Sequence, residues 1–434
     1  MAVIFIECGT SMASPFNTGI QRVVRNIVRE SEVLGPLLGH QCSQVSFIGR
    51  NFHLHEQIDS SLRISRTSWK IRFFGFGTKI YRSVKHLIPP SIHKKILQGV
   101  TALDRIRQSW GKKTQLPPSI QEILSRHTSD KTTSAVAASP PILLLLDASW
   151  NMKFWPAVDK FRAAGGHVSA VLYDLIPFTH PDTVEEHTRK AHTSWWLEAP
   201  MHLDSVICIS KTVRDQYLLW QEEKRLAHRL QPEQVSYFYL GSELNASHHD
   251  GNHQIDIVPG NEPYFLVVGS LEPRKNHAVI LDAFDELWSQ GTAINLVIVG
   301  SHGWKSEALL KRVANHPMLD KKLFLLRRTT DSELTHLYSK TAGLIIASIA
   351  EGFGLPIVEA FQRGAQVICS DIPVFREIAG QRAIYFDPND HTDLAEKLSI
   401  LAQNTLVNSS TPRDKASWLT WRESTAQLLH QLVH

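Results

Sequence analysis

Short, largely apolar runs recur along this chain, each bounded by polar turns and followed by a stretch with helical spacing. Residues 142–146 read Ile-Leu-Leu-Leu-Leu, and runs of the same kind lie at 167–172, 205–209, 264–268, 295–299, 323–326, 343–347 and 366–369. A strand with one wet face alternates apolar and polar residues, so continuous runs of four to six indicate strands covered on both faces. Alternation of such strands with helices predicts parallel sheets in an α/β fold. The opening follows the same logic: a first strand at 2–6, a loop at 8–18, then Ile20, Val23, Val24, Ile27 and Val28 at helical spacing, with Arg22, Arg25 and Arg29 as a basic polar face.

At 434 residues the chain exceeds what one core normally fills, and the strands divide into two sets. The expected organisation is a first Rossmann-like domain over 1–245, ending on a strand at 237–240, a polar linker at 246–260, and a second such domain over 261–412. A final segment, 413–434, carries Trp418, Trp421, Leu428, Leu429 and Leu432 and is expected to return to the first domain. The two domains are doubly wound and face each other across a cleft.

No apolar run reaches the roughly 18 residues needed to span a bilayer. The first residues, Met-Ala-Val-Ile-Phe-Ile, lack a basic leader and read as a strand rather than a signal peptide, so a cytoplasmic location is expected. Cys8, Cys42, Cys208 and Cys369 are scattered, with no Cys-x-x-Cys pair and no histidine at metal spacing, and read as buried free thiols.

The net charge of +4 hides an uneven distribution. Residues 63–113 hold thirteen Lys or Arg against the single acid Asp104, which leaves the rest of the chain at −8. Aromatic residues, among them Trp69, Phe73, Tyr81 and Trp110, are interleaved with these bases. This insert, at about 60–141, suits an anionic membrane surface, where each base contributes on the order of 1 kcal/mol and aromatics seat at the interface. Nucleic-acid binding and a merely solvated insertion are the other readings, and the first is preferred over nucleic acid.

In doubly wound domains ligands bind beyond the carboxyl ends of the strands. Four loops at such positions carry candidate chemistry. Glu351-Gly352-Phe353-Gly354-Leu355-Pro-Ile-Val-Glu359 follows the strand at 343–347: its glycines permit close backbone approach, and Pro356 suits the start of a helix whose free amides favour an anion. Glu359 is expected in the first turn of that helix, able to accept from vicinal hydroxyls. Gly269-Ser270-Leu-Glu272-Pro-Arg274-Lys275 follows the strand at 264–268, and paired cations there could stabilise a departing diphosphate; a solvated helix start is the plain alternative. Thr18-Gly19-Ile-Gln-Arg22 opens the first helix, as an ordinary junction or as a point of close approach. Tyr173-Asp174-Leu-Ile-Pro177, with His180 beyond it, offers an acid for orienting hydroxyls or for proton transfer, or simply a turn.

Taken together these residues resemble the retaining glycosyltransferases of the GT-B fold, in the large family, family 4-like, that includes bacterial mannosyl- and rhamnosyltransferases. The likeness is specific over 261–390 and looser before it, and the insert lies outside it. The resemblance implies that Arg274 and Lys275 bind the donor diphosphate, that Glu351 contacts the transferred sugar and Glu359 the ribose, and that the amides of 352–355 help hold phosphates and sugar. Gly19 and Gly269 fall at donor-binding positions. Many members carry an arginine after the glycine matching Gly269; here Ser270 stands there, and Asp174 occupies the region where a first-domain histidine is often found. The implied activity is retaining transfer of a hexose, mannose or rhamnose, from a nucleotide-diphosphate sugar, preferably a GDP-sugar, to a surface-polysaccharide or lipid-linked glycan. A silent scaffold subunit with the same fold is the alternative. No Asp-x-Asp occurs in the chain, so no metal and no cofactor is expected.

Overall fold

The structure is a computed structural model that describes residues 2–14, 19–55, 119–122, 139–226, 228–243, 262–407 and 417–433, without the side chains of 404–407. Most of the basic insert and the linker at 246–260 lie outside the described residues.

Among the described residues thirteen strands form two sheets. In the first half these are β1 (Val3–Glu7), β2 (Gln41–Ile48), β3 (Asn51–Leu54), β4 (Ile142–Leu145), β5 (His167–Leu172), β6 (Ser205–Cys208) and β7 (Val235–Tyr237), in the order β3-β2-β1-β4-β5-β6-β7. All neighbours are parallel except β2 and β3, which form an edge hairpin paired Val45 to Leu54 through Ile48 to Asn51. The second half supplies β8 (Tyr264–Val268), β9 (Asn295–Val299), β10 (Leu323–Leu326), β11 (Gly343–Ile346), β12 (Val367–Ser370) and β13 (Ala383–Phe386), all parallel, in the order β10-β9-β8-β11-β12-β13.

The expected strand at 237–240 is displaced. Strand β7 ends at Tyr237, and Phe238 and Leu240 are buried in the extended chain beyond it. Strands β2 and β3 carry no continuous apolar run, since their positions at or near a sheet edge leave part of each strand half-exposed, and the Ala-Ile-Tyr-Phe run of the edge strand β13 is half-exposed over its first three residues. A fragment of the insert returns to this edge: Ser119 bridges His53, and Ile120 is buried.

Both faces of each sheet are covered. One face of the first sheet packs Phe154, Phe161, Trp195, Trp196, Tyr217 and Trp220, and one face of the second packs the helix His277–Ser289 against His391–Val407. The other faces merge into a core that also contains Phe353, Trp421, Leu428 and Leu429. The helix Trp421–Val433 lies against the helix Gly19–Leu37, and its approach is fixed to the end of the first domain: Trp418 Nε1 donates to Leu240 O at 2.8 Å and Ser424 Oγ to Tyr239 O at 2.7 Å. Among the described residues no helix is long and apolar enough to cross a membrane. Cys8, Cys208 and Cys369 are buried free thiols, and Cys42 is half-buried.

Candidate active site

Strand order reverses in the second sheet between β8 and β11, and the crevice at such a reversal is where an open α/β sheet binds its ligand. The loops after β8 and β11 carry the two principal motifs. Ile349 N donates to Arg274 O at 3.0 Å and Arg274 Nη1 to Ala350 O at 2.9 Å, so the loops are fastened to each other. Asn276, in left-handed conformation, turns the first loop into the helix His277–Ser289.

At their junction the charges interlock. Glu351 Oε1 accepts from Lys275 Nζ at 2.5 Å and from Ser348 Oγ at 2.8 Å, and Oε2 lies 2.6 Å from Arg274 Nη1. Arg274 Nη2 meets Glu272 Oε1 at 2.7 Å. Burial alone would raise the Glu351 carboxyl, but Arg274 and Lys275 overturn that and hold it at about 2. Burial likewise opposes the charge on Arg274, and Glu351, Glu272 and Asp174 outweigh it, raising its pKa. Arg274, Lys275 and Glu351 therefore form one unit, rather than cations on a solvated helix start.

The first domain adds Asp174. Where a Cβ on Gly352 would stand, Tyr173 O is only 2.0 Å away and Asp174 Cβ 3.2 Å, so only glycine lets the two domains meet here. Ser210 Oγ donates to Gly352 O at 2.9 Å across the same contact. Burial pushes the Asp174 carboxyl above its ordinary value, against the pull of Arg274 and a hydrogen bond from Ile176 N at 3.0 Å. His192, buried and lowered to about 3 by desolvation, is hydrogen-bonded to the Asp174 backbone. His180 is bonded to its neighbour, Thr179 Oγ1, at 2.9 Å.

Gly354, at φ 103°, makes the left-handed turn into the helix Leu355–Gln362, with Pro356 in its first turn. Among the described residues the N–H groups of Gly352, Phe353 and Gly354 have no backbone acceptor, as an anion-binding helix start requires. The Phe353 ring is taken up in packing against Tyr239 and Trp418, so only its backbone is available to a ligand. Gly19 opens its helix with nothing within 4 Å of where a Cβ would stand. Gly269 sits beside Lys275, 3.5 Å from a Cβ position to Cε, and Ser270 and Leu355 are half-buried.

The expectation for Glu359 is corrected. It lies in the second turn of its helix and is fully buried, because the residue before the helix is Gly354 and the first turn runs from Leu355. Its Oε1 pairs with Arg22 across the cleft, and its Oε2 accepts from Tyr338 Oη at 2.9 Å. Arg22 is thus no part of a solvated basic face. Its partner is 337 residues away, and no local spacing could have revealed it. Tyr338 and Ser348 were equally invisible, whereas Glu272 lay inside the motif. A further buried pair escaped the sequence reading: Glu7 accepts from Gly9 N and Ser149 Oγ, and Asp147 from Ser11 N and Oγ, holding the loops beyond β1 and β4. Among the described residues no His, Cys, Asp and Glu cluster could hold a metal.

Residues 250–414 match the model of the glycosyl transferases group 1 family. Over these residues the chain is similar to the group 1 glycosyltransferases. Its fold is GT-B: the Anabaena protein HepE in complex with UDP aligns over all of this chain and 96% of its own, with TM-score 0.52 at 13% identity, and a Rickettsia africae glycosyltransferase gives 0.51 at 14%, over all of this chain and 93% of its own. In sequence it is 38% identical over 287 residues to the Escherichia coli serotype-specific mannosyltransferase WbdA, a match covering 63% of this chain and 34% of WbdA. It is 31% identical over 223 residues to the Salmonella typhimurium O-antigen chain mannosyltransferase RfbU, covering 50% of this chain and 56% of RfbU. The chain thus spans about a third of the first relative and about half of the second.

Proposed function

We propose that this chain is a group 1 glycosyltransferase, an active hexosyltransferase that moves mannose, with rhamnose as the second choice, from a nucleotide-diphosphate sugar to a growing surface polysaccharide or lipid-linked glycan. The observation that carries the reading is the Arg274–Lys275–Glu351 unit at the strand-order reversal of the second sheet, faced by Asp174 from the first. Mannose is favoured by the names of the relatives WbdA and RfbU.

The chemistry follows from the positions. As the bond between the sugar's anomeric carbon and the diphosphate oxygen breaks, negative charge grows on the diphosphate. Lys275 uses one of its three protons on Glu351 and has two to offer, while Arg274 is already committed to Glu272, Glu351 and Ala350. Lys275 and the amides of 352–354 are therefore the direct diphosphate contacts, and Arg274 positions Glu351. That carboxylate has about four acceptor sites, of which three are filled, leaving one for a sugar hydroxyl. The acceptor hydroxyl attacks from the leaving-group face with retention, and its proton passes to the departing diphosphate oxygen, with Asp174 orienting the acceptor. Metal bridging has no role in this reading, and the preferred donor is a GDP-sugar. The site operates at the cytoplasmic membrane face, with the basic insert on anionic lipid.

The test is a panel of nucleotide sugars screened for thermal stabilisation, followed by transfer of labelled sugar by wild type and Glu351→Gln. Turnover in the variant is expected to fall by about 10²-fold or more with the fold intact by circular dichroism. Near-normal turnover in the variant, or no transfer by wild type with any donor, would sink the assignment.

A further inference from the structure

Glu359, the carboxylate that the family resemblance places at the donor ribose, has no exposed side-chain surface and is held between Arg22 and Tyr338. Both residues sit about one turn inside helices whose N-termini border the cleft, Arg22 in Gly19–Leu37 and Glu359 in Leu355–Gln362. With a rise of about 1.5 Å per residue, Glu359 is about 6 Å from the free amides at its helix start, within reach of an arginine side chain. Arg22 remains about one-fifth exposed. Its other neighbours, Tyr338 and Asp331, lie on the helix Asp331–Lys340.

The local charge balance sets the problem. Arg274 is spent on Glu272 and Glu351, Lys275 shares Glu351, and Ser270 brings no charge. A nucleoside diphosphate carries about two negative charges into a site whose second-domain cations are already matched. Arg22 is the nearby cation whose single carboxylate partner is the one the ribose must engage.

We propose that Arg22 is a placeholder on Glu359 that the donor ribose displaces, and that the released guanidinium then binds the donor diphosphate from the first domain. The proposal rests on the donor-site reading above. Ribose hydroxyls take over Oε1 of Glu359, while Tyr338 keeps Oε2. The gain in phosphate binding offsets the loss of the Arg22–Glu359 pair, and it ties donor binding to the apposition of the two domains.

The two roles make opposite predictions for one substitution. Arg22→Gln removes a competitor of the ribose and a ligand of the diphosphate. GDP and UDP are titrated by calorimetry into wild type and variant, and guanosine and uridine are followed by ligand-observed NMR. For the base that wild type accepts, the variant is expected to bind the diphosphate about ten-fold or more weakly and the nucleoside equally well or better. Arg22→Lys is expected to recover part of the diphosphate affinity. Parallel weakening of both ligands marks a purely structural role and overturns the proposal, as does unchanged diphosphate binding. A wild type that binds neither diphosphate overturns the donor-site reading itself, a failure distinct from these.

Discussion

The contact between Gly352 and Tyr173 is the point where a single methyl group should be felt most. An alanine Cβ at 352 would lie 2.0 Å from Tyr173 O, against a normal carbon–oxygen separation of about 3.2 Å or more, so the carbonyl must recede by about 1 Å. The carbonyl belongs to the first domain and the glycine to the second, and neither can yield locally. Tyr173 is buried and its hydroxyl is tied to Leu146 O at 2.8 Å, while the 351–354 loop is tied through Glu351 to Arg274 and Lys275. The displacement must therefore widen the cleft, stretching the Ser210–Gly352 hydrogen bond and drawing Asp174 away from the charged unit. Overpacking of this kind costs about 1–3 kcal/mol, and a misplacement of about 1 Å at reacting groups can cost about 10²-fold in rate. Gly352→Ala is expected to lower the melting midpoint by a few degrees and to reduce labelled-sugar transfer about 10²-fold. Lys275 remains in place while the 352–354 amides and the first-domain side of the cleft shift, so binding of the nucleoside diphosphate should weaken, but by less than turnover. A variant that keeps turnover within two-fold of wild type, with an unchanged midpoint, would falsify the claim that catalysis requires this closed apposition.

Glu377 joins the domains at a second point, accepting from Lys211 N at 2.7 Å and from Thr212 N at 2.7 Å and Oγ1 at 2.5 Å. Glu377→Ala should destabilise by about 1–2 kcal/mol and raise the radius of gyration in small-angle scattering, and an unchanged radius would argue against a clamp. Buried His192 and His277 have pKa values lowered by burial to about 3 and about 4, so between there and about 6.5 the unfolded chain binds more protons than the folded one. Stability then rises with pH across that window, and about 2 kcal/mol should be lost between pH 6.5 and 5.5 in urea titrations. Asp174, raised by burial, works in the opposite sense, so His277→Phe should flatten the slope if the histidine causes it. Deleting residues 63–113 should weaken co-sedimentation with anionic vesicles and leave neutral vesicles unaffected; undiminished binding to anionic vesicles would exclude the insert as the lipid-binding element.

The second domain is the part most completely legible in the sequence. The runs at 264–268, 295–299 and 323–326 are β8, β9 and β10 residue for residue, because strands covered on both faces are apolar almost throughout, with buried Asn295 at the start of β9 the exception. The motif residues Arg274, Lys275 and Glu351 could be picked out because each follows such a strand within one loop. Strands β2 and β3 could not, because half-exposed polar positions interrupt their apolar pattern. What closes the site is set by contacts between residues far apart in the chain. The pairing of Arg22 with Glu359, the Tyr338 bond behind it, the approach of Tyr173 to Gly352 and the cap of Glu377 on the helix Lys211–Glu223 join residues from 21 to 337 positions apart. Periodicity reports which side of an element faces a core. It does not report which distant element stands opposite, and in a two-domain protein that second fact fixes the charges of the cleft.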